Sequence, residues 1–417
     1  MSPTGGLVAV GLLLALGGCD AIRDSPPDAA PETRIAIADC RRRSGEDKQD
    51  CYETRLLDEL ARSGTRLTLA MLEDIATADQ DVVRDAHVYT HAIGIESYDP
   101  ARPVSEVFAE CTELFQSGCY HGVIQAHFVA RGDVNDSTVR ELCEDFKQPG
   151  GDQFLLFQCL HGMGHGLTML YGYHLPRALE GCDLLMSSWD RESCYGGAFM
   201  ENIVSATNPH HVASELVSEQ GASRGDHRGE PAATEHEHGS AAMGAVSEPF
   251  EQLRDDDPQY PCSILDARYL TACYMMQTSV MLWQTGNDIG AAARLCMDAP
   301  EGWRKTCYQS LGRDISAHTL QDPDDSLREC RKSPEQYREW CYVGLVKNFV
   351  DLTATTGAGF AFCSMVEEAA KPRCHEAMGE QIGVLHGGAD ERRAACADSE
   401  SPLLERSCLY GARVPSN

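Results

Sequence analysis

Five histidines of this chain have the spacing expected of metal ligands: His87 with His91, His121, and His161 with His165. A separation of four residues places both imidazoles of a pair on one face of an α-helix, where they can bind a single ion. Neutral imidazole is a good ligand for zinc, copper, iron and nickel. The pattern therefore predicts a transition-metal site, with zinc, copper or iron as the ion.

Two further side chains could join this site. Glu201 and His127 lie near the same positions of their own segments and could complete the coordination shell or act as an acid or a base. The histidines also have a purely structural interpretation, as a polar stripe that hydrogen-bonds between helices. Packed helices lie about 8–10 Å apart, so on a straight array the outer pairs would lie roughly 16–20 Å apart. Two separate metal sites that share His121 would fit that separation.

Cysteines mark the elements that must position these histidines. The chain has 19 cysteines, and all except Cys19 fall into nine neighbouring pairs, five of which are separated by 11 residues. The 18 cysteines other than Cys19 are an even number, and the first residues of the chain, described below, resemble an export signal; together these observations indicate disulfides. The predicted pairs are Cys40/Cys51, Cys111/Cys119, Cys143/Cys159, Cys182/Cys194, Cys262/Cys273, Cys296/Cys307, Cys330/Cys341, Cys363/Cys374 and Cys396/Cys408.

The second cysteines of these pairs recur with a period close to 34 residues. The last four steps, from Cys273 to Cys408, are 34, 34, 33 and 34 residues long. The step from Cys51 to Cys119 is 68 residues, which predicts a further unit whose reference position is Asp85. This unit lacks both cysteines, and a joint loss is what pairing within a unit requires.

Each unit is predicted to form a short helix, a turn and a longer helix, with a disulfide from the end of the short helix to the middle of the longer one. A helical hairpin of 34 residues that repeats resembles the tetratricopeptide-like superfamily, especially its cysteine-rich secreted members, over about residues 36–417. The resemblance implies an α/α superhelix whose concave face binds a protein or peptide partner, because such folds mostly bind partners. We therefore expect an all-α, disulfide-stapled solenoid of about ten units.

The repeated units act as internal controls for the histidines. Counted from the second cysteine, or from Asp85, histidines occupy the second and sixth following positions of units two and four and the second position of unit three, whose sixth position is Gln125. Other residues occupy these positions in the later units: Gly196 and Met200, Met275 and Ser279, Gln309 and Arg313, Val343 and Lys347, and Glu376 and Glu380. The scaffold therefore does not require histidine there. Because these positions lie opposite the cysteine on a helix, the imidazoles should point away from their own hairpin.

The first residues resemble a bacterial lipoprotein signal. The apolar run from Leu7 to Leu16 is too short to span a bilayer, and it is followed by Gly17, Gly18 and Cys19. This resemblance implies that Cys19 is acylated and anchors the protein to a membrane, on the periplasmic or extracellular face of the cell envelope. A plain secretory signal is the alternative. Residues 1–18 are the predicted signal peptide, and residues 19–35 are a predicted flexible tether.

One long insertion interrupts the repeats. Residues 214–261 are rich in Gly, Ala, Glu, Asp and His, and we expect them to form a disordered acidic loop. The loop would divide N-terminal repeats that carry the histidine-rich site, residues 36–213, from C-terminal repeats, residues 262–417. Its histidines, His227, His236 and His238, could capture metal loosely, or the segment could be only a solvated linker.

Composition limits the possible functions. The chain carries 35 basic and 64 acidic residues, a net charge of −29, which argues against nucleic acid as a partner. Methionines such as Met163 and Met200 could suggest copper(I), but at helical spacing they are more often core residues. Two functions remain: a metal-dependent enzyme or metal carrier, and a protein-interaction scaffold whose histidines are structural. Convergence of the imidazoles within about 5 Å of a common point would favour the first, because donor atoms must share one coordination sphere.

Overall fold

The computed structural model describes residues 29–132, 134–148, 151–207 and 250–415, and within these ranges the regular secondary structure is entirely helical, without a strand. Its α-helices form ten successive units, which confirms the predicted repeat solenoid. The first helices of the units are α1 (Pro31–Cys40), α3 (Thr65–Ala78), α5 (Val104–Phe108), α7 (Asp136–Glu141), α9 (Leu175–Asp183), α12 (Ile289–Leu295), α14 (Pro323–Cys330), α16 (Gly357–Met365) and α18 (Ala389–Cys396). The second helices are α2 (Glu46–Ser63), α4 (Val82–Ser97), α6 (Gly118–Arg131), α8 (Gln153–Leu170), α10 (Ser188–Thr207), α11 (Leu270–Gln284), α13 (Arg304–His318), α15 (Glu335–Thr353), α17 (Lys371–Leu385) and α19 (Pro402–Gly411).

Nine disulfides close within single units, in the pairing that the cysteine spacing predicts. The second cysteine of each pair lies inside the longer helix, as Cys341 does in α15. Each bridge closes a loop of similar length and should contribute roughly 3 kcal/mol in the chain-entropy model. The staples therefore fix each short helix on its longer partner.

The position of the second cysteine within the longer helix differs from the prediction, which placed it in the middle. Cys159 and Cys194 lie in the first half of α8 and α10, and Cys307 and Cys374 lie close to the start of α13 and α17. All four are at most 1% exposed. Because the turn between the two helices is short, paired cysteines reach the same level soon after the longer helix begins. The remainder of each longer helix is left to pack against neighbouring units.

The second unit, α3 and α4, is the predicted unit without cysteines. In place of a disulfide, this unit has a buried ion pair at its turn, where Asp79 lies 2.8 Å from the ammonium group of Lys48 on α2. The hydroxyl of Tyr52 also donates to Asp79, at 2.9 Å. Because the burial of a charge is costly unless it is paired and hydrogen-bonded, this contact holds the turn against the first unit.

Glycines allow successive second helices to approach closely. A Cβ atom at Gly197 of α10 would collide with the backbone oxygen of His161 on α8, and one at Gly344 would meet that of Gln309 in the same way. Glycine at this position, three residues after the second cysteine, is therefore required by backbone-to-backbone contact. The same close packing brings the side chains of neighbouring units together.

The two halves of the superhelix meet across its interior. Helix α8 contacts α17, and the 3-10 turn Phe115–Ser117 before α6 contacts α15. The second helices of the early units thus face the second helices of the late units. Side chains at the inner positions line cavities between the two halves.

Three segments of the described chain are structured differently from the expectation. Helix α1 begins at Pro31, inside the predicted tether of residues 19–35. Residues 250–261, predicted to belong to the disordered insertion, pack on the repeats: Tyr260 is buried, and the side chain of Gln252 donates to the backbone oxygen of Asn202. The sixth unit has no α-helix before α11. A short 3-10 helix that contains Cys262 takes the place of the first helix there.

Several predictions concern residues outside the described part of the chain. These are the signal peptide of residues 1–18, the acylated Cys19, and residues 214–249 of the insertion with His227, His236 and His238. Within the described ranges, no helix combines the length and the apolar character needed to cross a bilayer. Nine disulfides indicate that the chain folds in an oxidising, extracytoplasmic compartment.

Candidate metal centre

Four consecutive second helices, α4, α6, α8 and α10, pack side by side and carry the candidate ligands. His121, His161 and His165 are at most 8% exposed, as is His91, while His87 is half-buried. Their polar partners come from neighbouring units. The imidazoles therefore point away from their own first helices, as the helical geometry predicts.

The five imidazole rings form one continuous cluster. Ring centroids lie 4.6 Å apart for His87 and His91 and 4.9 Å apart for His121 and His161. His91 and His165, which stand two helices apart, have centroids only 5.1 Å apart. The separation of roughly 16–20 Å expected for a straight array therefore does not apply here, because side chains from α4 and α8 meet beside α6.

The cluster divides into two groups that could each hold an ion. His87, His91 and His121 offer one nitrogen each within 4.8 Å of one another, and so do His121, His161 and His165. His121 belongs to both groups. Three neutral imidazoles with a fourth position left open form the ligand set of several catalytic zinc sites.

Hydrogen bonds fix which nitrogen of His87 and of His91 carries its proton. The Nδ1 atom of His87 lies 2.8 Å from the carbonyl oxygen of Phe115, and the Nδ1 atom of His91 lies 3.0 Å from Oε1 of Gln125. Both oxygens can only accept, so each neutral ring presents a lone pair on Nε2. These two Nε2 atoms lie 3.1 Å apart. With metal–nitrogen bonds of about 2.0–2.1 Å, tetrahedral ligand atoms lie roughly 3.3 Å apart, close to this distance.

His121 and His165 each leave one buried nitrogen without a hydrogen-bond partner among the described residues. His121 donates from Nε2 to Oε1 of Gln158 at 2.9 Å, and its Nδ1 has no partner. His165 donates from Nδ1 to Oε2 of Glu201 at 2.8 Å, and its Nε2 has none. A buried acceptor left unsatisfied costs about 1–3 kcal/mol, so these two lone pairs need an explanation.

Glu201 lies behind His165, where it orients the ring. Its Oε2 atom accepts from Nδ1 of His165 and also from Nε2 of Gln125 at 2.9 Å, which fixes the orientation of that amide toward His91. Predicted as a metal ligand, Glu201 is absent from both groups of three in the described chain. A carboxylate in this position holds the tautomer of a metal-binding histidine and raises its basicity.

The turn before α6 is held in an unusual conformation that serves His87. Phe115, Gln116 and Ser117 all have positive φ angles, between 51° and 62°. The left-handed region costs about 1–2 kcal/mol for each residue other than glycine. This conformation directs the carbonyl of Phe115 at His87, and backbone strain of this kind is concentrated at functional sites.

Burial keeps the imidazoles neutral. It lowers the pKa of His87 to about 4 and that of His165 to about 3. Burial, reinforced by the neighbouring imidazoles, holds the pKa of His121 and His161 well below the usual range. Neutral rings retain the lone pairs that metal binding needs.

Other candidates lie outside the cluster. His127 hydrogen-bonds to the hydroxyl of Tyr98 at 3.2 Å and belongs to neither group of three. Met163 is fully buried in the hydrophobic core, as expected of a filler residue, and Met200 lines a cavity beside His161. Gln125, which contacts His91, occupies the sixth position of the third unit, the position that His91 and His165 hold in theirs, whereas no sequence signal marks Gln158, the partner of His121.

Two cavities adjoin the cluster from the interior of the superhelix. The larger, of about 820 Å³, has His87 in its wall together with residues of α3, α13 and α15. The smaller, of about 120 Å³, has His121 and His161 on one side and residues of α15 and α17 on the other. Gln116 and Asn348 line both cavities. Small molecules could therefore reach the cluster.

Comparisons of the chain with protein-family models, with curated proteins and with solved structures found no match.

Proposed function

We propose that this chain is an extracytoplasmic metalloprotein whose five-histidine cluster binds one or two transition-metal ions. The observation that carries the proposal is a pair of buried nitrogens, Nδ1 of His121 and Nε2 of His165. Neither has a hydrogen-bond partner in the described part of the chain, while the opposite nitrogen of each ring is hydrogen-bonded. Metal ligands in proteins are typically held in this way by hydrogen bonds from behind. A bound ion would satisfy both lone pairs.

We further propose that the metal takes part in a reaction on a small molecule, oxidative or hydrolytic. Cavities adjoin the candidate ligands, and each group of three histidines would leave a coordination position open. An open coordination position beside a cavity favours catalysis, because a substrate can bind to the metal there. A metal carrier needs only to bind and release its ion. Zinc, copper and iron all accept an imidazole ligand set.

The competing proposal is a protein-interaction scaffold. The contacts of His91 with Gln125 and of His121 with Gln158 join neighbouring helices, so they would stabilise a tetratricopeptide-like array without any metal. Elemental analysis separates the two proposals. Metal-replete wild-type protein should retain one or two equivalents, and the double variant His161→Gln and His165→Gln should lose most of them while remaining folded.

Gln309→Ala provides the matched control, since Gln309 occupies the same repeat position as His161 in a unit outside the cluster. This variant should keep the full complement of metal. Equal metal content in all three proteins, or none in metal-replete wild type, would leave only the scaffold.

We also propose that Cys19 is acylated and tethers the repeats to a membrane of the cell envelope. The sequence that precedes it supports this proposal. Mass analysis of the mature N-terminal peptide should find a lipid on Cys19, and an unmodified N-terminus would exclude the anchor.

A further inference from the structure

A carboxylate lies across the smaller cavity from the histidine cluster. Asp351, on α15, shares the cavity wall with His121 and His161. Its Oδ1 atom accepts a hydrogen bond from the side-chain amide of Gln381 on α17. Asp351 is exposed to solvent, but the surrounding protein partly desolvates its carboxylate and raises its pKa to about 6. Asp351 is therefore ionised at neutral pH.

Two basic groups near Asp351 form ion pairs with other carboxylates, although the charge of Lys347 also lowers the pKa of Asp351. Lys347, one turn earlier on α15, pairs with Glu380. Arg313, which lines the same cavity, donates to Asp314 at 2.9 Å and to Ser279 at 2.7 Å. Within the described ranges no lysine or arginine pairs with Asp351. A carboxylate that lines a cavity, has a raised pKa and pairs with no cation is the kind of group that concentrates at functional sites.

The rest of the cavity wall combines apolar and aromatic surface. Phe154 and Phe157 of α8 and Val384 and Leu385 of α17 line it. Aromatic faces next to a carboxylate form a favourable environment for an organic cation. The net charge of −29 adds a long-range attraction for cations.

We propose that the smaller cavity binds a small organic ammonium ion, whose N–H groups donate to Asp351 and whose apolar body contacts Phe154 and Phe157. The other end of this ligand would lie toward His121 and His161, so the inference rests on the proposed function in making this cation the substrate of the metal centre. The larger cavity serves as the entrance, because Gln116 and Asn348 border both spaces.

The test measures binding of three probes of similar shape to the full mature chain: n-butylammonium, n-butanol and butyrate. Calorimetric titration of the metal-loaded protein should give the tightest binding for n-butylammonium. Asp351→Asn should weaken that binding by about tenfold or more, because a charge-assisted hydrogen bond is lost. Asp324→Asn, at an exposed position of α14, should leave it unchanged.

A second variant keeps the test decisive if Asp351→Asn disturbs the fold. Val384→Phe retains the carboxylate but fills the cavity, so it should also abolish binding of n-butylammonium. Equal binding of n-butylammonium and n-butanol, or binding that persists in both cavity variants, would overturn the ammonium site.

Metal content measured on the same samples separates this inference from the proposed function. Asp351→Asn should retain the metal of wild type. Metal-loaded protein that fails to bind n-butylammonium would refute the ammonium site alone. Protein that holds no metal but binds n-butylammonium through Asp351 would refute the metal centre and leave a cation-binding cavity.

Discussion

The Nε2 atoms of His87 and His91 lie 3.1 Å apart across one turn of α4. Each ring donates from Nδ1 to an oxygen acceptor, so the facing nitrogens both present lone pairs. Two lone pairs at this distance repel each other, and a cation bound to both removes the repulsion. The pair is therefore arranged for a ligand role, although its spacing along the helix is that of many structural histidines.

The shared position of His121 predicts an unequal effect of single substitutions. His121→Gln should reduce metal content more than His87→Gln or His161→Gln, because His121 belongs to both groups of three and each of the others belongs to one. Elemental analysis after removal of loosely bound ions gives the measurement. Equal losses for the three variants would argue against a shared ligand.

Glu201 should control metal affinity through His165. Glu201→Gln keeps the size of the side chain but removes the negative charge of the carboxylate that accepts the hydrogen bond from His165. The affinity for the metal ion should therefore fall about 10–100-fold, while a saturating metal concentration should still fill the site. Competition with a chromogenic chelator measures the change. Glu251→Gln, at an exposed position, is the control. An unchanged affinity in Glu201→Gln would remove its orienting role.

Asp351 should make stability depend on pH in a defined direction. Its pKa of about 6 in the folded protein exceeds the ordinary value of about 3.9, so the folded state binds the proton more tightly. Stability should therefore rise, relative to Asp351→Asn, as pH falls from about 6 toward 4. The groups around this carboxylate are Lys347 and Arg313, Glu380 with Gln381, and the imidazoles of His121 and His161.

Urea unfolding of both proteins at several pH values between 7.5 and 4.5 provides the check. The pH-dependent contributions of the histidines are the same in wild type and in Asp351→Asn. They therefore cancel when the unfolding free energy of one protein is subtracted from that of the other. A difference that stays constant across this range would show that desolvation does not hold the proton on Asp351.

Close packing of α8 and α10 should be necessary for the cluster. Gly197→Ala places a methyl group against the backbone oxygen of His161, and overpacking of this kind costs about 1–3 kcal/mol. The variant should also lose metal as α10 moves away from His165. Gly302→Ala, whose added methyl group meets nothing within 4 Å, should remain near wild type in both thermal unfolding and metal content.

The sequence by itself determined the scaffold. Cysteines 11 residues apart and a 34-residue period required stapled hairpins, because a helix end and the next helix must lie side by side to form such a bridge. The double-length step between Cys51 and Cys119 predicted a unit without cysteines at Asp85. The structure confirms this unit as α3 and α4, with the Lys48–Asp79 contact at its turn. Helical geometry also fixed the direction of the five histidines relative to their own hairpins.

Only the tertiary structure decided which side chains meet. The contact between His91 and His165 depends on the curvature of the superhelix, which accumulates from small rotations at close glycine contacts between units. The position of Asp351 opposite His161 depends on the same curvature summed over several units. Local patterns determine where a side chain points on its helix, but the sum of inter-helix rotations determines what it faces across the interior.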